Sequence, residues 1–331
     1  MKLWPALSAI LLACLPLAAC ATSEIPIADL RLQYGLPASG TFEPSPGVRV
    51  HYTDEGKRSG RTLILVHGFA ASVHAWRPWI DRLVGDYRLV AIDLPGHGLT
   101  QTPSGYRATL EGNAQLVEDL AAHLGIDRFV LAGNSMGGAV SMAYAMEHSA
   151  RLQGLVLVSP AGWPGEGGGA PGGFSLLNNG AGRFLLKLVD PRIVVGGGLK
   201  SAYVDEALVT GAVIDRYAEL AMAEGHRDVL LTQRSQPETP WTPASFAAIR
   251  APTLVMVGEK DALIPPANGR ALARAIPDAY LVTYPEGGHL PMEQLPDQTV
   301  QHLLAFIRGL PPRRRAAESC FLRATCRPCA K

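Results

Sequence analysis

The chain has 331 residues, of which 47% are apolar and 18% charged. That balance supports a large buried core and excludes disorder over most of the length. A formal net charge of +1 gives no electrostatic case for a nucleic-acid partner, and length allows one large α/β domain or about two smaller ones.

Met1-Lys2 is a short basic start, and Leu3 to Ala19 is almost wholly apolar, interrupted by Pro5 and Pro16. The stretch is too short for a good membrane span, which takes roughly 20 residues, and reads as a secretory signal. Leu17-Ala18-Ala19-Cys20 resembles the bacterial lipobox. The resemblance implies cleavage before Cys20, a lipid anchor on its sulfur and, with Ala21 in place of Asp, an outer-membrane or periplasmic lipoprotein. An ordinary signal peptide cut near Ala19 or Ala21 is the alternative. Residues 1–19 are therefore read as signal and 20–45 as a tether, within which Ile25 to Leu36 could pack on the core.

Val48-Arg49-Val50-His51-Tyr52 alternates as a strand does, and Asp54 to Gly60 is a polar turn. Thr62 to Val66 is a continuous apolar run, the pattern of a strand buried on both faces of a parallel sheet; it ends at His67-Gly68-Phe69. Ala75 to Leu83 reads as a helix with Trp76 and Trp79 on one side. Tyr87 to Ile92 is the next strand, followed by the loop Asp93-Leu94-Pro95-Gly96-His97-Gly98. Leu110 to Leu124 carries apolar residues at helical spacing. A strand at Phe129 to Ala132, a helix at Ala139 to His148 and a strand at Leu155 to Val158 complete the first half. Strands alternating with helices of this length predict βαβ units and a mainly parallel central sheet flanked by helices.

The composition then changes. Gly165 to Gly173 is glycine-rich, and Phe174 to Val189, Tyr203 to Ile214 and Tyr217 to Gln233 read as helices. No strand signal appears between Ala161 and about Ile249. This predicts a helical cap over residues 161–245, inserted after the strand ending near Ser159 and placed over the C-terminal edge of the sheet. Strands return at Ala251 to Gly258 and Tyr280 to Tyr284, with helices at Arg270 to Ile276 and Gln298 to Arg308. The core is thus 46–160 plus 246–310. The tail, 311–331, is basic at Arg313 to Arg315 and holds Cys320, Cys326 and Cys329. Three cysteines fall short of the usual four zinc ligands; one pair could form a disulfide in an oxidising compartment, and the stretch reads as a disordered tail.

Gly133-Asn134-Ser135-Met136-Gly137 fits G-x-S-x-G between a strand and a helix, the setting of a nucleophile elbow. A serine used in acyl transfer needs a base, an acid that orients the base, and donors for an oxyanion. The candidate base is His289, in Gly287-Gly288-His289 after the last strand. The candidate acid is Asp261, beyond the strand ending at Val257, with Glu259 as a local competitor and Asp93 as a distant one. The order Ser135, Asp261, His289 differs from the two other familiar triad orders. The N–H groups of Phe69 and Met136 are the candidate oxyanion donors. His67 and Gly68 support that loop, His67 bracing it by hydrogen bonds rather than moving protons. His97 and His226 read as structural or surface residues.

From about Val48 to Leu310 the chain resembles the α/β-hydrolase superfamily. The matching stretches are His67-Gly68-Phe69, Asp93 to Gly98, the elbow, Gly258-Glu259-Lys260-Asp261 and Gly287-Gly288-His289. The run Gly133 to Ser141 is similar to bacterial lipases and esterases of the cold-adapted Moraxella type, and also to hydrolases that cleave carbon–carbon bonds in meta-ring-fission products. Serine rather than aspartate at 135 argues against haloalkane dehalogenases and epoxide hydrolases. The resemblance implies a serine carboxylic-ester hydrolase acting on a small-molecule ester or lipid through an acyl-enzyme, with Ser135, Asp261 and His289 as triad and no metal or cofactor. The alternatives are a carbon–carbon bond hydrolase and a non-catalytic, ligand-binding surface lipoprotein.

Overall fold

A computed structural model describes residues 23–164, 190–233 and 241–310. The signal and Cys20, the stretch from Gly165 to Val189, and the tail with its three cysteines lie outside the described residues. Before the cap the chain runs α1 (Ile27–Tyr34), β1 (Ser39–Ser45), β2 (Val48–Gly56), β3 (Thr62–Val66), α2 (Arg77–Leu83), β4 (Arg88–Ile92), α3 (Leu110–His123), β5 (Phe129–Asn134), α4 (Met136–His148) and β6 (Leu152–Val158). The cap contributes α5 (Pro191–Ala202), α6 (Gly211–Ala221) and α7 (His226–Gln233). The second half is β7 (Thr253–Gly258), α8 (Pro266–Ala275), β8 (Ala279–Tyr284), α9 (Pro291–Gln294) and α10 (Pro296–Gly309).

The apolar runs form the middle of one eight-stranded sheet, in the order β1-β2-β4-β3-β5-β6-β7-β8. From β4 through β3 to β8 all neighbours are parallel, while β1 and β2 add an antiparallel edge. Successive side chains of a strand point to opposite faces, and β3 shows it. Leu63 and Leu65 join one buried cluster with Trp76 and Trp79, whereas Ile64 and Val66 join the other with Val140 and Tyr144. Each face therefore needs a helical cover. Each fully buried Leu or Val gains roughly 1.5–3 kcal/mol of transfer free energy, which makes this two-sided layer the main source of stability.

Three expectations need correction. Of the stretch read as a tether, the described part, 23–45, is not free, and the packing allowed for Ile25 to Leu36 is present. Helix α1 buries Ile27 and Leu30 against Leu99 of the core and Leu220 and Ala223 of the cap, and β1 pairs with β2. The helix placed at Tyr203 to Ile214 is in fact two pieces: Tyr203 caps the end of α5, and Thr210, whose side chain accepts from Val213 N, starts α6. The helix placed at Tyr217 to Gln233 breaks at Met222 to Gly225, where Gly225 has a φ of 77°. Between β6 and β7 the described residues form helices and turns, with a single isolated β-bridge from Ala223 to Ile25 and no strand.

Candidate active site

Ser135 stands between β5 and α4 with φ 53° and ψ −118°. A non-glycine residue at positive φ costs on the order of 1–3 kcal/mol, so the surroundings must enforce it. They do so from both sides of the turn. Ser135 N donates to Val158 O at 3.1 Å, and Ser135 O accepts from Gly138 N at 2.9 Å and from Ala161 N at 3.0 Å. A Cβ on Gly137 would run into the carbonyl oxygens of Val66 and His67, and one on Gly133 into Gly137 O. Both glycines are thus dictated by the closeness of the crossing strand and helix.

His289 and Asp261 come from the loops after β8 and β7. His289 Nδ1 lies 2.8 Å from Asp261 Oδ2. The other carboxylate oxygen accepts from Leu263 N at 2.8 Å and Ile264 N at 2.9 Å. These two bonds fix the carboxylate plane and leave one oxygen for the imidazole. Both side chains are buried. Glu259 points elsewhere, in a salt bridge with Arg270, and Asp93, directly after β4, pairs with His51 of β2. Among the described residues no hydrogen bond joins Ser135 Oγ to His289; such bonds are often long in ligand-free hydrolases and tighten with substrate.

The loop after β3 crosses close to the nucleophile. A Cβ on Gly68 would lie 3.1 Å from Ser135 Cβ. His67 braces that loop: its Nδ1 donates to Gly68 O at 2.7 Å and its Nε2 accepts from Leu94 N at 3.0 Å. Both nitrogens are used by the neutral ring, and burial holds the imidazole pKa below its usual value. Phe69 lines the cavity beside Ser135, and Met136 opens α4 directly after it. The N–H groups at the start of a helix have no partner within it and carry the positive end of its dipole. His97 and His226 are both buried.

A cavity of about 140 Å³ opens at Ser135, lined by core residues Phe69, Leu263 and Leu290 and by cap residues Val195, Leu199 and Tyr217. A larger open groove, about 580 Å³, lies between β8 and α10, and no triad residue lines it. Three features of the site carry no local sequence signal. Asn134 Nδ2 donates to His289 O at 3.2 Å and to Val158 O at 3.1 Å. His289 N donates to Ala202 O, at the end of α5, at 2.8 Å. Tyr217 OH lies 3.4 Å from Glu293 Oε1, and burial raises the Glu293 carboxyl to about 7.

The pattern of the alpha/beta hydrolase family matches residues 63–302. The chain belongs to the alpha/beta hydrolase family. Its relatives in that family carry different chemistries. Haloalkane dehalogenase 2 of Mycobacterium tuberculosis is 29% identical over 277 residues, covering 78% of this chain and 90% of that protein. The 2-hydroxy-6-oxononadienedioate/2-hydroxy-6-oxononatrienedioate hydrolase of Comamonas testosteroni is 28% identical over 250 residues, covering 73% and 85%. Among solved structures, a thermophilic esterase from Thermogutta terrifontis is 27% identical with a TM-score of 0.67, covering 82% of this chain and 98% of that one. The alpha/beta hydrolase family thus fixes the fold and the class, a hydrolase, and leaves the bond that is cleaved to the site.

Proposed function

We propose that this hydrolase cleaves carboxylic esters through an acyl-enzyme on Ser135. The observation that carries the reading is a serine hydroxyl, not a carboxylate, at the strained elbow, facing a cavity whose described lining holds no lysine or arginine. An aliphatic acyl group suits such a lining. An anionic ring-fission product would leave its charge unpaired there, at a large desolvation cost. The Thermogutta esterase adds support. So does a membrane phospholipase A, 25% identical with a TM-score of 0.66, covering 92% of this chain and 97% of that one.

Ser135 Oγ attacks the ester carbonyl as His289 Nε2 takes its proton. The N–H groups of Phe69 and Met136 hold the oxyanion. His289 then protonates the leaving alcohol, and water repeats the cycle on the acyl-enzyme. Asp261 accepts His289 Nδ1–H and so keeps Nε2 free to act as base. The first test is hydrolysis of p-nitrophenyl esters, from acetate to palmitate, by protein lacking residues 1–20 beside Ser135→Ala. Turnover should fall by at least about 10³-fold in the variant. If no ester is turned over while Ser135 still reacts with a fluorophosphonate, the carbon–carbon hydrolase becomes the better reading.

The same reading includes a lipid anchor at Cys20 that holds the enzyme at an outer-membrane or periplasmic surface. Its support is the lipobox-like run, and Ile25 N already bonds to Met222 O of the cap at 2.8 Å. An anchored protein is therefore held within a few residues of its cap. The mass of the mature protein extracted from membranes, compared with Cys20→Ser, tests the anchor.

A further inference from the structure

A second serine–histidine–aspartate relay lies outside the active site. Asp93 Oδ2 accepts from His51 Nδ1 at 2.7 Å and from Leu99 N at 3.0 Å, and its Oδ1 accepts from Val73 N at 2.8 Å. Burial pushes the Asp93 carboxyl up, but the hydrogen bonds from His51 and from the Leu99 N–H outweigh it and hold the group well below the usual carboxylate range. An ionised Asp93 fixes the proton of His51 on Nδ1. The lone pair is then on Nε2, and Nε2 lies 2.8 Å from Ser39 Oγ. Leu36 N–H donates to the same Oγ at 3.1 Å. The histidine and aspartate are buried, and Ser39 is exposed at the start of edge strand β1.

We propose that Ser39 is a second nucleophilic hydroxyl, an acyl-acceptor site on the surface that takes acyl groups from activated carboxylic esters with His51 as its base. The geometry has the parts that activate a serine: a base within hydrogen-bond reach and a third group that orients the base. In the step, Ser39 Oγ bonds to the carbonyl carbon while its proton passes to His51 Nε2. The bond from that carbon to the leaving oxygen breaks, and the leaving oxygen takes the proton from His51. Ser39 ends as an ester and His51 as a neutral imidazole. Leu36 N–H supports the negative charge that builds on Oγ as the proton leaves. Ser39 does not line the Ser135 cavity, so the inference does not depend on what that cavity hydrolyses. The competing possibility is that the relay only ties β1 to the core, and the experiment separates the two.

The full chain carrying Ser135→Ala is treated with a fluorophosphonate, which bonds to a serine oxygen through phosphorus and loses fluoride, and the adduct is located by peptide mass. We expect one adduct at Ser39, formed more slowly than the Ser135 adduct of the parent and absent from Ser135→Ala/Ser39→Ala. In Ser135→Ala/His51→Asn the amide can keep the bond to Asp93 but offers no base to Ser39. There the rate should fall by about 10²-fold or more. Ester turnover by Ser39→Ala alone should match the parent. The proposal is overturned if Ser39 stays unmodified under conditions that label Ser135 of the parent fully, or if His51→Asn leaves its rate unchanged. Should His51→Asn fail to fold, as thermal melting would show, the location of the adduct decides alone. Failure of the ester-hydrolase reading is distinct, because it appears as absent ester turnover in the parent whatever happens at Ser39.

Discussion

Asn134, the residue before the nucleophile, holds the main chain of the candidate base: its Nδ2 donates to His289 O at 3.2 Å. The same amide nitrogen reaches Val158 O, so one buried side chain joins the ends of β5 and β6 to the histidine loop. Asn134→Asp would set a carboxylate against two carbonyl oxygens. We expect kcat to fall by about 10–100-fold with little change in KM, and stability to fall by about 1–3 kcal/mol. Steady-state kinetics and denaturant titration of the variant check both numbers.

Helix α1 is a structural clasp rather than a spacer. Leu30 is buried among Leu99, Leu220 and Ala223. Leu30→Ala should cost about 2–4 kcal/mol, the usual range for a cavity left by a core leucine. A shift of the urea midpoint with an unchanged slope would confirm it. A value within about 0.5 kcal/mol of the parent, typical of surface positions, would return α1 to the status of a tether.

His226 links cap and core. Its Nδ1 lies 2.8 Å from Leu220 O and its Nε2 2.7 Å from Thr100 O. The ring is buried, and burial lowers its pKa. His226→Ala removes a buried ring from between two carbonyls, one of the cap and one of the core. We predict a loss of about 2–4 kcal/mol, combining a cavity with the loss of the ring's hydrogen bond. The cap should open first, so protease cleavage within α6 or α7 should appear in the variant before global unfolding.

Glu293 sits under the cap beside Tyr203 and Tyr217, and burial raises its carboxyl from the usual range to about 7. A folded-state pKa above the unfolded value means the folded protein holds this proton more tightly. The group therefore makes stability fall as pH rises from the unfolded pKa towards 7, with the full loss present above 7. Glu293→Gln removes that dependence. Relative to the parent, its melting temperature should be higher at pH 8 than at pH 5, and equal offsets at the two pH values would show that Glu293 titrates normally.

The core, the elbow at Ser135 and the two loops that bring Asp261 beside His289 were legible because each depends on short-range patterns. Apolar runs such as Thr62 to Val66 announce a strand buried on both faces, and glycines at 133 and 137 announce a backbone crossing. The cap was less legible. Helix α5 runs through Gly196, Gly197 and Gly198, each costing about 1 kcal/mol relative to alanine in a helix. Local propensity therefore hides it. Its start is set by Asp190, which accepts from Arg192 N, and its inner face by Val195 and Leu199 against the cavity. The supports of the site join distant parts of the chain. Asn134 and His289 are 155 positions apart, and nothing in either neighbourhood names the other.

The clasp formed by α1 also constrains the order in which the chain can mature. Tyr34 OH donates to Glu219 Oε2 at 2.7 Å across 185 positions of sequence. At ribosomal speeds of about 5–20 residues per second, the partner of the first helix is made about 10–40 s after the helix itself. Through that interval the apolar face of α1 lacks the cap residues Leu220 and Ala223, and of its buried partners only Leu99 has been made. Closing so long a loop is slow and comes late in folding. The amino-terminal segment is thus synthesised first and completes its contacts only when the cap has been made.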